Sequence, residues 1–411
     1  MTKAKDRELS KVFRVEVLKP LNLTWDEFGG LLRRTQYHAA HLANEVITTQ
    51  YLLAKGKLER NGSFCALVAH ACHDCSLHAD VKCTVCKWAR DKFKADARRI
   101  LRADISLPSY KNNLCMIKNR SVKLRETPDG WAARLAILPK ADGKNQVQPE
   151  VLLRTEEMKR RSPGAYQVLE RIASKEYKQG TTQVKRDTRT GKIYLLISYS
   201  FRPERESGLE ASRVMGVDLG VSTPAYCAFN DSLKRKSLLI EGRKLLKTKW
   251  QIEGRRRDIR RHNDQRDLRR GHGKEAKFRP MEAVEQHWVD FRQSWNHVLA
   301  RRIIEYALSN HAGAIHLEDL SPGTNSKFLG RNWPVAELLD YIEYKAKERG
   351  IAVKRVNPFK TSQTCSDCGA IKESFTFGDR KKAGFPDFVC DACGFRTHAD
   401  YNAARNIAKA P

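Results

Sequence analysis

Two cysteine pairs near the C-terminal end, Cys365-x2-Cys368-Gly369 and Cys390-x2-Cys393-Gly394, constrain the fold of this chain more than any other stretch. Paired thiolates at this spacing converge on one metal ion, and the glycine after each pair permits the tight knuckle around a bound sulfur. A spacer of 21 residues separates the pairs, so the chain must leave the ion and return to it. Four sulfurs complete a tetrahedral zinc, which marks a structural ion with no open position for substrate.

A second set, Cys72-x2-Cys75 and Cys83-x2-Cys86, repeats the spacing with only seven residues between the pairs. His70, His73 and His78 lie close enough in sequence to replace one sulfur, so its ligand set stays open, and the chain is expected to carry one or two zinc ions. The four pairs take eight of the 11 cysteines; Cys65 and Cys115 read as buried thiols. Met1–Asp6 is polar and carries no apolar signal segment. A cytoplasmic location is therefore expected, and in that reducing compartment such pairs are metal sites rather than disulfides.

Charge limits the partners. Lysine and arginine number 77 against 48 acidic residues, a net charge of +29 spread along the whole 411-residue length. No run of 18 or more apolar residues exists to cross a membrane, and 41% hydrophobic content is too high for a wholly disordered basic chain. Nucleic acid is the polyanion that fits, and the length calls for two to four units, each with its own core.

Along the chain, Val12–Leu18 alternates as a strand, and Thr24 with Glu27 forms a capping box for a helix with the stripe Trp25, Phe28, Leu32, Ala39, Leu42 and Val46. Trp88–Ile105 reads as a basic helix. Strands follow at Ser121–Leu124, Trp131–Leu138 and Lys192–Phe201, with a helix around Gly164–Ile172 between them. This predicts an antiparallel barrel or sandwich that the first strand joins and a helical stretch interrupts. Pro203–Gly208 reads as a linker. Lys244–Arg270 is a basic helix and loop whose Arg255, Arg256, Arg257, Arg260, Arg261, Arg266, Arg269 and Arg270 suit a phosphate backbone. Met281–Asn310 carries a core stripe of Val284, Trp288, Phe291, Trp295, Val298 and Ile303. The helix opened by Pro334 and the strand Ile351–Val356 continue a β-to-α-to-β rhythm.

Three acids stand out in this second half. Met215–Val221 reads as a buried strand that puts Gly216, Asp218 and Gly220 on one face, flanking the carboxylate with residues that leave space for a phosphodiester; a strand ending in a turn accounts for the same residues. Ala314–Leu320 is a second apolar strand, with His316 and Glu318 on one face and Asp319 on the other, so Glu318 is the candidate ligand. Thr397–Ala408 reads as a helix with Asp400 in its first turn, where an aspartate also suits a simple cap. Alanines at 403, 404 and 408 let this helix lie close to a sheet. Asp218, Glu318 and Asp400 together are suited to hold two magnesium ions, with manganese as a substitute, about 4 Å apart for phosphodiester hydrolysis.

These residues also carry a family resemblance. GVDLGVS at 216–222, HLEDL at 316–320, the C-terminal cysteine quartet and HADYNAARNIA at 398–408 resemble the three RuvC motifs and zinc-bearing target-nucleic-acid-binding insertion of type V CRISPR effectors and their transposon-encoded TnpB relatives. FRVEVLKPL at 13–21, WDEFG at 25–29 and LPSYK at 107–111 resemble the miniature type V-F effectors, so the likeness spans essentially the whole chain. The resemblance implies a multidomain α+β protein with an N-terminal wedge β-barrel. Its first strand would be 1–20, its helical recognition region and zinc finger 21–104, and the rest of the barrel 105–204. A linker at 205–212, a RuvC-like nuclease domain at 213–360, a zinc-binding insertion at 361–396 and a final RuvC helix at 397–411 would follow.

The resemblance further implies a prokaryotic RNA-guided DNA endonuclease of antiviral defence. It would cut double-stranded DNA beside a short, T-rich protospacer-adjacent motif, acting as an asymmetric homodimer on one guide RNA. Asp218, Glu318 and Asp400 would bind magnesium; Cys365, Cys368, Cys390 and Cys393 would bind zinc. The nearest alternative is a TnpB-type nuclease guided by RNA from a transposon end. Another is a non-catalytic RNA-guided repressor, and a third an unguided junction resolvase, which has no need of two zinc clusters or a long N-terminal half.

Overall fold

The computed structural model describes residues 8–59, 76–111, 113–141, 144, 146–187, 190–203, 206–220, 223–231, 237–265, 274–320, 335–375 and 387–411. Cys65, His70, Cys72, His73, Cys75, Val221, Ser222, Arg266, Arg269, Arg270 and Pro334 lie outside them. The chain divides into two compact units, Met1–Arg202 and Pro203–Pro411. Among the described residues no helix is long and apolar enough to cross a membrane.

In the first unit, β1 (Leu9–Pro20) buries Phe13, Val15 and Val17 by strict alternation. Among the described residues, two helices come before the sheet resumes, Trp25–Ala54 and Ala79–Leu101. The expected capping box starts the first: Thr24 accepts the Glu27 N–H and the Glu27 carboxylate accepts the Thr24 N–H at 2.8 Å. Phe28, Leu32, Ala39, Leu42 and Val46 are buried as the stripe predicts, but Trp25 is 47% exposed because it opens the first turn. The second helix begins nine residues before the expected Trp88, at Ala79, because Val81, Val85, Ala89 and Phe93 recur on one face and all bury. Cys83 and Cys86 therefore sit within a helix, not in a knuckle.

The sheet continues with β2 (Met116–Ile117), β3 (Val122–Thr127), β4 (Gly130–Leu135), β5 (Glu150–Leu153), β6 (Lys178–Arg186) and β7 (Ile193–Phe201). Its order is β2-β6-β7-β1-β5-β4-β3, antiparallel throughout, with β1 between β7 and β5. The outermost strands β2 and β3 are consecutive, joined by the 3-10 turn Asn119–Ser121. The sheet must curl to bring its two ends together, and Gln179 Nε2 from β6 donates to Val122 O of β3 at 3.3 Å across that junction.

The second unit holds β8 (Glu210–Asp218), β9 (Ala225–Phe229), β10 (Ser237–Ile240), β11 (Ala312–Glu318) and β12 (Ala352–Val356) in the order β10-β9-β8-β11-β12. β8 begins inside the stretch expected as linker at 205–212. The β8, β11 and β12 strands are parallel; β9 pairs antiparallel with both β8 and β10. One face of β8 and β11, with Met215, Val217, Ile315 and Leu317, packs on Leu299 and Ile303 of the helix Lys274–Ser309 and on Leu338, Leu339 and Ile342 of the helix Val335–Glu348. Val298 is 48% exposed; its neighbour Leu299 takes the core position. The short hairpin of β13 (Asp387–Val389) and β14 (Arg396–His398) leads into the final helix, Ala399–Lys409.

That final helix covers the opposite sheet face. A Cβ on Gly216 would lie 2.0 Å from Ala404 O and 2.4 Å from Ala408 N. The small residues at 404 and 408 do bring the helix onto the sheet. The glycine at 216, expected to leave open space for a phosphodiester, instead makes room for this helix.

Candidate active site and metal centre

Asp218 and Glu318 emerge side by side. Gly216 pairs with His316 and Val217 with Leu317 in the parallel ladder, so the next residues, the two acids, share one face at the carboxyl ends of β8 and β11. It is the face under the final helix, where the His316 Nδ1 meets Ile407 O at 3.1 Å. Asp400 enters from the start of that helix. The helix is capped by His398, whose Nδ1 accepts the Asp400 N–H at 3.2 Å, so Asp400 is not the cap. The His398 ring also stacks on Tyr226, the antiparallel partner of Asp218, with centroids 5.1 Å apart. Burial raises the Tyr226 phenol above its ordinary value, and the charge of Asp400 acts in the same direction.

Glu318 is 8% exposed. Burial pushes its carboxyl above the ordinary carboxylate value, opposed by the Thr361 hydroxyl that donates to Oε1 at 2.7 Å. A buried carboxylate on the same sheet face as Asp218 suits a hard cation that takes oxygen ligands, and such an ion would reverse the direction of the shift. Asp319 uses its backbone N–H on Val356 O at 2.8 Å.

The cysteine quartet is more closely assembled. Among the described residues it is the group whose ligand atoms all lie within 4.8 Å of one another; the three carboxylates do not reach that closeness. Cys365 and Cys393 sulfurs are 3.8 Å apart, and those of Cys368 and Cys390 3.7 Å. Disulfide sulfurs would be about 2 Å apart. A tetrahedral zinc with bonds of about 2.3 Å needs sulfurs about 3.8 Å apart, so the quartet fits zinc. The two knuckles are copies: Gly369 and Gly394 have φ of +80 and +72, and their N–H groups donate to Cys365 O and Cys390 O. Backbone N–H donation from Cys393 lowers the Cys390 thiol to about 7, easing loss of its proton to a metal.

The first cluster stands differently. Cys83 and Cys86 lie on the Ala79–Leu101 helix, Cys83 exposed, and His78 caps that helix through Nδ1 on the Asp80 N–H at 3.2 Å. Its remaining expected ligands are outside the described residues. Cys115 is buried, its thiol pushed up to about 12 by desolvation. Of the expected phosphate-contacting arginines, Arg255, Arg257, Arg260 and Arg261 are exposed on the helix Arg243–Gln265, whereas Arg256 pairs with Glu285.

Thr361, His398 and Tyr226 were not singled out by the sequence reading. One signal was available: His78-Ala79-Asp80 and His398-Ala399-Asp400 start two helices with the same histidine cap.

Comparison with known proteins agrees with this architecture. A family model described as Cas12f1-like, TNB domain, matches residues 336–407. The chain is 33% identical over 427 residues to the CRISPR-associated endodeoxyribonuclease Cas12f1 of Sulfoacidibacillus thermotolerans, covering 97% of this chain and 96% of that protein. It is 34% identical to the Cas12f1 of Syntrophomonas palmitatica, covering 78% of this chain and 70% of that protein. Its fold is similar to that in the cryo-EM structure of a Cas12f1-sgRNA-target DNA complex, with a TM-score of 0.80, 21% identity and coverage of 98% and 99% of the two chains. With identity of this level along nearly its full length, the chain belongs to the Cas12f1 family, the miniature type V-F CRISPR-associated endodeoxyribonucleases.

Proposed function

We propose that this chain is a guide-RNA-directed endonuclease that hydrolyses double-stranded DNA at one RuvC-like site built by Asp218, Glu318 and Asp400. The observation that carries it is the position of Asp218 and Glu318 directly after the last ladder pair, Val217 with Leu317, at the carboxyl ends of two parallel strands, with the Asp400 helix on the same face. These three carboxylates would hold magnesium, two ions in this reading; when bound, the ions activate water and neutralise the scissile phosphate. Within the chain, Asp218 and Glu318 fix the ligand positions on rigid strands, Thr361 orients the Glu318 carboxylate, and the cover of the final helix excludes water from the Gly216 side.

The curled sheet of the first unit is read as the wedge barrel that grips guide RNA. An open cavity of about 380 Å³ lies between Lys87, Trp88 and Asp91 of the inserted helix and Val12, Gln183 and Leu196 of the sheet. Its mix of apolar and amide groups supports a role in reading a T-rich motif, since thymine offers a methyl beside its acceptor. An asymmetric homodimer on one guide suits a chain short relative to a heteroduplex of about 20 base pairs.

The test is plasmid cleavage by the protein loaded with guide RNA. Cutting is expected only with guide, matching target and magnesium together. Sequencing the RNA that copurifies from the native host separates a CRISPR guide from a transposon-end guide; binding without cutting would favour the repressor.

A further inference from the structure

The segment Thr361–Ser366 touches both metal-binding groups at once. Thr361 donates its hydroxyl to Glu318, Cys365 belongs to the sulfur quartet, and the backbone between them is fastened to the final helix by two amides. Asn402 is fully buried; its Oδ1 accepts the Ser366 N–H at 2.8 Å and its Nδ2 donates to Thr364 O at 2.7 Å. One turn on, Asn406 Nδ2 donates to the carbonyls of Thr361 at 2.8 Å and Thr364 at 2.6 Å. Positions four apart share a helix face, and asparagine is a poor residue for a helix interior. Two of them in a helix of 11 residues serve tertiary structure. Asp400 stands on the same short helix.

We propose that Asn402, Asn406 and Thr361 are positioning residues of the nuclease site, fastening the zinc knuckle to the Asp400 helix and to Glu318 in one frame. The knuckle thereby becomes part of the scaffold that sets the spacing of the magnesium ligands. Without the Asn406 amide, the Thr361 and Thr364 carbonyls lose donors, and the strap is free to shift against the helix. A displacement of about 1 Å at such a site costs about a hundredfold in rate. The inference rests on the carboxylate assignment above.

The experiment uses the full chain with guide RNA and target DNA, as wild type, Asn402→Ala, Asn406→Ala and Thr361→Val. Manganese binding is titrated by electron paramagnetic resonance, zinc is measured by elemental analysis, and single-turnover cleavage is followed against magnesium concentration. The expected result is retained zinc, unchanged target affinity, manganese binding weakened about tenfold and cleavage slowed by about 10- to 100-fold. Partial recovery of the rate at high magnesium is also expected. Wild-type manganese affinity in a folded Asn406→Ala protein overturns the proposal. Thr361→Val removes the hydroxyl link to Glu318 at 2.7 Å, together with a longer contact to Pro358 O at 3.1 Å, and decides the matter if the asparagine variants do not fold: undiminished manganese affinity there overturns it equally. Failure of the underlying assignment has a different signature, namely Asp218→Ala and Glu318→Ala proteins that still cut.

Discussion

Gly216 lies directly beneath Ala404, so close that a Cβ on the glycine would come within 2.0 Å of the alanine carbonyl oxygen. That oxygen belongs to helix backbone and has little freedom to move aside. Gly216→Ala must lift the helix that carries Asp400 away from the strand that carries Asp218. Overpacking of this kind costs at least about 1–3 kcal/mol. Expected are a lower melting temperature and loss of cleavage with guide-RNA binding retained, measured by calorimetry and plasmid cleavage.

The sulfur quartet makes a separate prediction. Replacing Cys365 and Cys390 together by serine is expected to remove one zinc per chain by elemental analysis. Proteolysis should then become faster in 361–409, because a zinc bound there would hold together knuckles that share little apolar core of their own. Unchanged zinc content would contradict the assignment.

Asp80 links the inserted helix to the turn before β3. Hydrogen bonds from the Arg120 guanidinium hold its carboxyl well below the usual carboxylate range, and Ser121 Oγ also donates to it, at 2.5 Å. Because the folded value is depressed, the stabilisation is complete above the unfolded aspartate value of about 3.9 and is lost as pH falls below it. Asp80→Asn is expected to cost about 1–3 kcal/mol at pH 7. Hydrogen exchange along Ala79–Leu101 should show it, with variant and wild type converging at low pH.

The arginine helix separates into two roles. Arg255, Arg257, Arg260 and Arg261 are exposed, and alanine at all four should flatten the salt dependence of nucleic-acid binding, by up to about 0.9 in log-log slope for each phosphate that is no longer neutralised. Arg256→Ala, which breaks the pair with Glu285, should leave the slope unchanged and lower stability instead. Equal slopes for the fourfold variant and wild type would remove this helix from the nucleic-acid surface.

Legibility followed the range of the forces involved. The strand positions of Asp218 and Glu318 were readable because strand alternation is local, and the C-terminal knuckles because each pair carries its own glycine. Cys83 and Cys86 have no glycine after them: Lys87 follows, and the same spacing puts two residues on one helix face, which is where they lie. The role of Gly216 was legible only as a lack of side chain. Its true neighbour comes from a helix nearly 190 positions later, beyond any periodicity argument. Trp25 and Val298 fit helical stripes by spacing yet lie exposed, since spacing does not show where the partner surface ends. Thr361 offered no pattern, because a single hydroxyl acquires meaning only from the carboxylate it meets.

The most direct measurement is target-plasmid cleavage by guide-loaded wild-type protein beside Asp218→Ala, Glu318→Ala and Asp400→Ala, with target affinity measured in parallel. Magnesium-dependent cutting is expected of the wild type alone, with variants that bind target normally while cutting at least about a hundredfold more slowly. A variant that cuts at the wild-type rate, or a wild type that cuts without guide RNA, would contradict the assignment of these three carboxylates to a guided nuclease site.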